Sequence, residues 1–134
     1  MCALTADFGA VAFYSRTVFD HFRNPRNARS MDDANGVGRA VNEACSDVVT
    51  MYIRVDEDRI VDVSFKAQGC VACIAAASVT TELAQNLSLD EARDLGKTEI
   101  LDVLGELPPA KIKCSVISPT ALREAVNDFE NKRS

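Results

Sequence analysis

The stretch Val48-Val49-Thr50-Met51-Tyr52-Ile53-Arg54-Val55 has a period of two: Val49, Met51, Ile53 and Val55 point one way, and Thr50, Tyr52 and Arg54 the other. Alternation of this kind is the mark of a half-buried strand. Asp56-Glu57-Asp58-Arg59 follows as a charged turn, and Val61, Val63, Phe65 and Ala67 then alternate with Asp62, Ser64 and Lys66. The pair reads as an antiparallel hairpin. The acidic turn lacks the spaced ligands of a calcium loop and reads as a solvated tip.

Working outward, Gly69 breaks the second strand, and the alanine-rich segment from Val71 to Gln85 has the composition of a buried helix. Ser88 and Glu91 form a capping box for a helix through Leu95, with a cap worth ~1 kcal/mol. A short helix over Thr98 to Leu104 is expected next. Leu107-Pro108-Pro109 resists helix, so the chain is expected to run extended to Cys114. Ser118 as N-cap and Pro119 at the first helical position open a last helix with Leu122, Val126 and Phe129 on one stripe.

Upstream, Tyr14, Val18 and Phe22 share one face of a helix whose Arg16, Asp20 and Arg23 face water. Asn24-Pro25 stops it. Arg26 to Gly38, ending Asn35-Gly36-Val37-Gly38, reads as an irregular loop. Strands first and helices afterwards give an α+β fold, with helices packed on one face of a small antiparallel sheet. Residues 1–13 are expected to be a flexible segment and 14–134 one domain, since 134 residues with 47% hydrophobic content suit a single core.

Twenty acidic and fifteen basic residues give a net charge of -5, and the Lys and Arg residues form no basic stripe. Nucleic acid is not expected as a partner. The longest apolar stretch, near Val71 to Val79, is too short and too alanine-rich to span a bilayer, and Met1 to Ala12 carries Asp7 and no basic region. No membrane association and a cytoplasmic location are therefore expected. Five cysteines in such a chain point to metal or thiol chemistry rather than to structural disulfides. With no tryptophan and one histidine, chemistry falls to thiols and carboxylates.

Cys45, Cys70 and Cys114 each stand at the boundary of an expected element, where side chains can converge at one end of a sheet. Thiolates suit zinc, copper(I) and iron-sulfur clusters, and Asp47 offers a harder oxygen donor two residues after Cys45. Three thiolates and a carboxylate can complete a tetrahedral zinc site. Three inert core thiols are the competing reading. Gly69-Cys70 at a helix start favours thiolate through the free amides there.

In order along the chain, Tyr14-Ser15, Asp20-His21-Phe22, Asn24-Pro25-Arg26-Asn27, Ala44-Cys45-Ser46-Asp47, Gly69-Cys70, Leu107-Pro108-Pro109-Ala110-Lys111 and Lys113-Cys114-Ser115 appear. From Tyr14 to the C-terminus this set resembles the NifU/IscU-type scaffolds of iron-sulfur cluster assembly. The resemblance implies a three-stranded antiparallel sheet. It implies a non-enzymatic scaffold that binds a [2Fe-2S] cluster through Cys45, Cys70 and Cys114, with Asp47 tuning lability and zinc as an alternative occupant. It further implies sulfur delivery by a cysteine desulfurase and transfer to apo iron-sulfur acceptor proteins; Cys114, beside Lys113 on the segment after the prolines, is the expected persulfide acceptor. An Hsp70-type chaperone is implied to read Leu107 to Lys111; a rigid proline spacer is the other reading of those residues.

Three departures stand out. Ser46 occupies the place of the family's usual glycine and restricts that backbone. Lys113 replaces the histidine that many scaffolds carry, so Asp47 is the preferred fourth donor; Lys113 is either a cation lowering the Cys114 pKa or a solvated charge. Cys73 stands where a small residue is usual, and it reads as a buried small side chain or an auxiliary thiol. The Cys70/Cys73 pair lacks the βαβ setting of a thioredoxin-like motif. Cys2 reads as incidental, and His21 as structural or partner-facing. A zinc-dependent sulfurtransferase is the alternative function, although relatives of that kind carry a longer insertion between the second and third cysteines than the separation of 44 positions from Cys70 to Cys114. A purely structural zinc domain would be expected to show more than one C-x-x-C pair.

Overall fold

The computed structural model describes residues 14–43, 46–105 and 107–133. The expected flexible segment 1–13, including Cys2, lies outside them, as does Cys45. The described chain runs α1 (Arg16–Arg23), β1 (Gly36–Asn42), β2 (Asp47–Asp56), β3 (Arg59–Gln68), α2 (Val71–Ala84), α3 (Leu89–Asp94), α4 (Lys97–Leu104), a 3-10 helix (Pro109–Val116) and α5 (Ile117–Arg133). The strands form one antiparallel sheet in the order β1-β2-β3.

Alternation in β2 sends Val49, Met51, Ile53 and Val55 into the core, each contributing about 1.5 to 3 kcal/mol by burial. Glu57 and Asp58, at φ 53° and 60°, form a two-residue turn of the kind that matches strand twist. In β3 the expected alternation is corrected at two places. Val55 pairs with Ile60 while Arg54 pairs with Asp62, so a bulge at Val61 hands the inward place to Ile60. Ser64, expected to face water, is fully buried. The outer edge of β3 is closed by loops: the Phe65 N–H donates to the Asn27 carbonyl at 2.9 Å, and the Ile60 N–H to the Leu87 carbonyl at 2.8 Å.

The expected loop over Arg26 to Gly38 ends sooner than read, because Gly36 and Gly38 belong to β1. Here glycine serves close approach to a helix. A Cβ on Gly38 would stand 2.2 Å from the Ala121 carbonyl oxygen, and one on Gly36 2.5 Å from that of Ala125. Helix α5 therefore lies directly on β1 and β2, burying Ala121, Leu122, Ala125 and Val126. Asn35 extends the pairing with side-chain bonds to the N–H and carbonyl of Val55, at 2.7 and 2.9 Å.

Helix α2 is the central element, packed against β3, α1, α4, α5 and the 3-10 helix. Its alanines let these neighbours close in, and its buried hydroxyls bind them. Ser78 Oγ lies 2.7 Å from His21 Nδ1 and accepts from the Arg26 N–H at 2.9 Å, while Thr80 Oγ1 lies 2.9 Å from Ser118 Oγ. His21 is thus a buried tie between α1 and α2, its pKa lowered by desolvation. The capping box of α3 is formed in full.

Two expectations beyond Leu107 are overturned. The chain is not extended up to Cys114; Pro109 begins a 3-10 helix, where a missing N–H removes no bond. Nor does Ser118 cap a new helix. The 3-10 turns pass directly into α5 at Ile117, and the Ser118 hydroxyl turns inward to Thr80.

Candidate metal centre

Three elements deliver three donors to one end of the sheet. Asp47 is the first residue of β2, and the pairing of Val48 with Gln68 sets it beside the end of β3, where Gly69-Cys70 leave the strand. Cys70 has extended backbone angles at the N-cap of α2, so its sulfur sits by the amide end of that helix. Cys114 arrives on the 3-10 helix, which packs against α2. All three residues are buried, and one donor atom from each lies within 4.8 Å of the others.

The sulfurs of Cys70 and Cys114 are 3.6 Å apart. A tetrahedral zinc with bonds near 2.3 Å to sulfur has S–S edges of about 3.8 Å, so the spacing fits one metal with little rearrangement. Asp47 Oδ1 accepts from the Cys70 N–H at 3.1 Å, and Oδ2 stands 4.0 Å from the Cys70 sulfur. The carboxylate fills space left open by glycine at residue 69: a Cβ there would lie 2.4 Å from Oδ1, so one of the two would have to shift.

The pocket polarises its thiols in opposite directions. Hydrogen bonding between the two sulfurs draws the Cys70 pKa down to about 7, against desolvation; the Cys73 backbone amide and the Lys111 charge act in the same sense. Cys114 is pushed up, first by that same bond and then by burial. The shared contact therefore biases the negative charge of the metal-free pair toward Cys70 and the proton toward Cys114. Burial and the nearby Asp47 charge keep Cys73 a thiol.

Of the expected site residues, Asp47, Cys70 and Cys114 are brought together, and Cys45 lies outside the described residues. Cys73 is completely buried just inside the first turn of α2, next to the group of three donors and not part of it. Lys113 is exposed, and the cation that acts on the pocket is Lys111, which is 7% exposed. The signal that would have found Lys111 is its spacing. In a 3-10 helix residues i and i+3 eclipse, which aligns Lys111 with Cys114, and an extended chain hides that register. Ser46, between the expected ligand Cys45 and Asp47, has a left-handed φ of 57°.

Comparison with known proteins agrees with this architecture. The family model described as the NifU-like N-terminal domain matches residues 13–134. The iron-sulfur cluster assembly scaffold protein IscU of Escherichia coli K12 is 43% identical over 124 residues, covering 90% of this chain and 96% of that protein. IscU 1 of Archaeoglobus fulgidus, also named as an assembly scaffold, is 43% identical over 119 residues, or 89% of this chain and 78% of that one. Among solved structures, the putative SUF-system scaffold of Fervidobacterium islandicum superimposes with a TM-score of 0.72 at 23% identity, covering 88% of this chain and 99% of that one, a likeness of fold.

Proposed function

Because the chain belongs to the NifU-like N-terminal domain family, we propose that it is an assembly scaffold on which an iron-sulfur cluster is built and from which it is passed on. The observation that carries this reading is the buried Asp47, Cys70 and Cys114 group, with two sulfurs at metal-bridging distance. Cys45, two residues before Asp47 in the chain, supplies the remaining thiolate. The cargo is a [2Fe-2S] unit, and zinc fits the same donor set in its absence. The setting is the cytoplasm; among the described residues no helix is long and apolar enough to cross a membrane.

Sulfur arrives as the persulfide of a cysteine desulfurase, with Cys114 as acceptor. Its sulfur attacks the outer sulfur of the donor persulfide, the donor S–S bond breaks, and the donor cysteine leaves as thiolate. The Cys114 proton passes to the Cys70 thiolate 3.6 Å away. Reduction of the transferred sulfur to sulfide takes two electrons from an external thiol or protein reductant. An Hsp70-type chaperone reads the Leu107 to Lys111 segment. Leu107 and Lys111 are both buried, so reading them requires the 3-10 helix to lift, which moves Cys114 with it.

Anaerobic reconstitution with iron, a desulfurase and cysteine, followed by Mössbauer and absorption spectra, tests the scaffold reading. The parent should take up one [2Fe-2S] unit that Cys45→Ser, Cys70→Ser and Cys114→Ser cannot hold. A parent that binds zinc and accepts persulfide yet never forms a cluster would establish the sulfurtransferase alternative. Mass spectrometry of trapped persulfides locates the acceptor: the added sulfur should still appear, more slowly, in Cys70→Ser, which lacks the proton acceptor, and vanish in Cys114→Ser.

A further inference from the structure

Beside the thiol pocket the surface opens into a groove of about 530 Å3 lined by Lys97, Pro109, Ala110, Ile112, Lys113 and Val116. It continues across Lys113 and Val116 into a second depression of about 520 Å3 that reaches Val41 and Ile117. Val41 and Val116 are among the few large apolar side chains left in water, at 44% and 37% exposure. Lys97 and Lys113 are both exposed and make no ion pair among the described residues. Glu43 is the one acid among the described lining residues of the two depressions.

We propose that this groove is the docking surface for the apo acceptor protein, and that it selects an acceptor segment with carboxylates around an apolar anchor. The proposal rests on the scaffold reading above. Three features choose this occupant. A chain of net charge -5 repels an acidic partner over most of its surface, while the two lysines attract it at this face, so the field orients the encounter. Pro109, Ile112 and Val116 offer the apolar floor that an anchor side chain needs once charge has brought the partner in. Lys113 directly precedes Cys114, so an anchored acceptor holds its own thiols next to the cargo. A second copy of the chain carries the same negative charge and is disfavoured on the same face.

The test uses an acidic apo-ferredoxin and the cluster-loaded protein, with transfer followed by circular dichroism at low and high salt. Salt should slow transfer from the parent. Lys97→Glu/Lys113→Glu should slow it by about tenfold at low salt and flatten its salt dependence, with cluster loading unchanged. Lys97→Gln/Lys113→Gln should fall between. Chemical-shift mapping of apo-ferredoxin on the metal-free protein should move Ile112, Lys113 and Val116. Transfer indifferent to both salt and charge reversal overturns the proposal, as does a dimer in sedimentation that Val116→Asp returns to monomer. Should the parent take up no cluster, the scaffold reading fails, while the shift map still decides whether an acidic partner docks here.

Discussion

Gly69 and Asp47 occupy complementary space: the hydrogen at Gly69 stands where a methyl group would lie 2.4 Å from Asp47 Oδ1 and 3.1 Å from Cys73 Sγ. The third donor of the pocket therefore depends on a residue that contributes no ligand. Gly69→Ala should keep the sheet, since the change lies at the end of β3, at a cost of about 1 to 3 kcal/mol for the forced shift. It should weaken zinc binding by about tenfold or more by displacing the carboxylate. Competition with a chromophoric chelator measures this. Unchanged affinity alongside an intact circular dichroism spectrum would show that Asp47 is not held in place by Gly69.

The opposed shifts at Cys70 and Cys114 set a pH signature for the metal-free protein. Cys70 ionises near 7 in the folded chain against an ordinary 9.0, so its contribution is full above 9 and is lost as pH falls through 7. Cys114 is raised, so its contribution is present below its ordinary value of 9.0 and fades as pH climbs beyond it. Stability from the pair should rise from pH 7 to 9 and decline above. In Cys70→Ser the rise from pH 7 to 9 should vanish and the decline above 9 should shrink, burial and Asp47 alone then holding Cys114 up. Thermal melts of both proteins across this range check it, and parallel curves would sink the assignment of the charge to Cys70.

Ser46 holds a φ of 57°, where a side chain costs roughly 1 to 2 kcal/mol and glycine costs little. Ser46→Gly gives back part of that gain as unfolded-state entropy, leaving about 1 kcal/mol of stabilisation. Urea denaturation of the metal-free proteins should show a higher midpoint with an unchanged slope. A lower midpoint would mean that the serine relieves more strain than its backbone imposes.

The hairpin, the alanine-rich helix and the capping box were legible because each is a local signal, carried by period or by a cap three residues long. What escaped reading was decided by partners distant in sequence. Gly36 and Gly38 look like loop residues until the backbone of α5, more than eighty positions away, is seen to need their missing side chains. Ile60 replaces Val61 because a bulge, which no alternation reports, sits opposite Val55. Pro108-Pro109 forbids helix in its interior and yet begins a 3-10 helix well, and that choice brings Lys111 into line with Cys114. At the site, Asp47, Cys70 and Cys114 were legible from chemistry and from the ordered motifs of the family. Glycine as a space-maker and lysine as a buried cation were not, because both roles exist only once the three donors have converged.

Asp47→Ala separates a tuning ligand from a bystander. The substitution leaves the thiols in place and removes an oxygen donor that is fully buried and bonded to the Cys70 amide. A carboxylate is the harder donor and the weaker partner for iron already bound by sulfur, so its bond is the one that opens first when an acceptor thiolate attacks. Without it the cluster should persist longer on the scaffold and pass more slowly to apo-ferredoxin. The Cys70 thiolate also loses a neighbouring negative charge that raises its pKa, so ionisation in the metal-free protein should shift to lower pH. The two readouts, transfer rate and thiolate absorbance against pH, respond to one residue through independent effects. Transfer as fast as the parent combined with a lowered thiolate titration would place Asp47 beside the cluster without bonding to it, and the opening step would then belong to a cysteine.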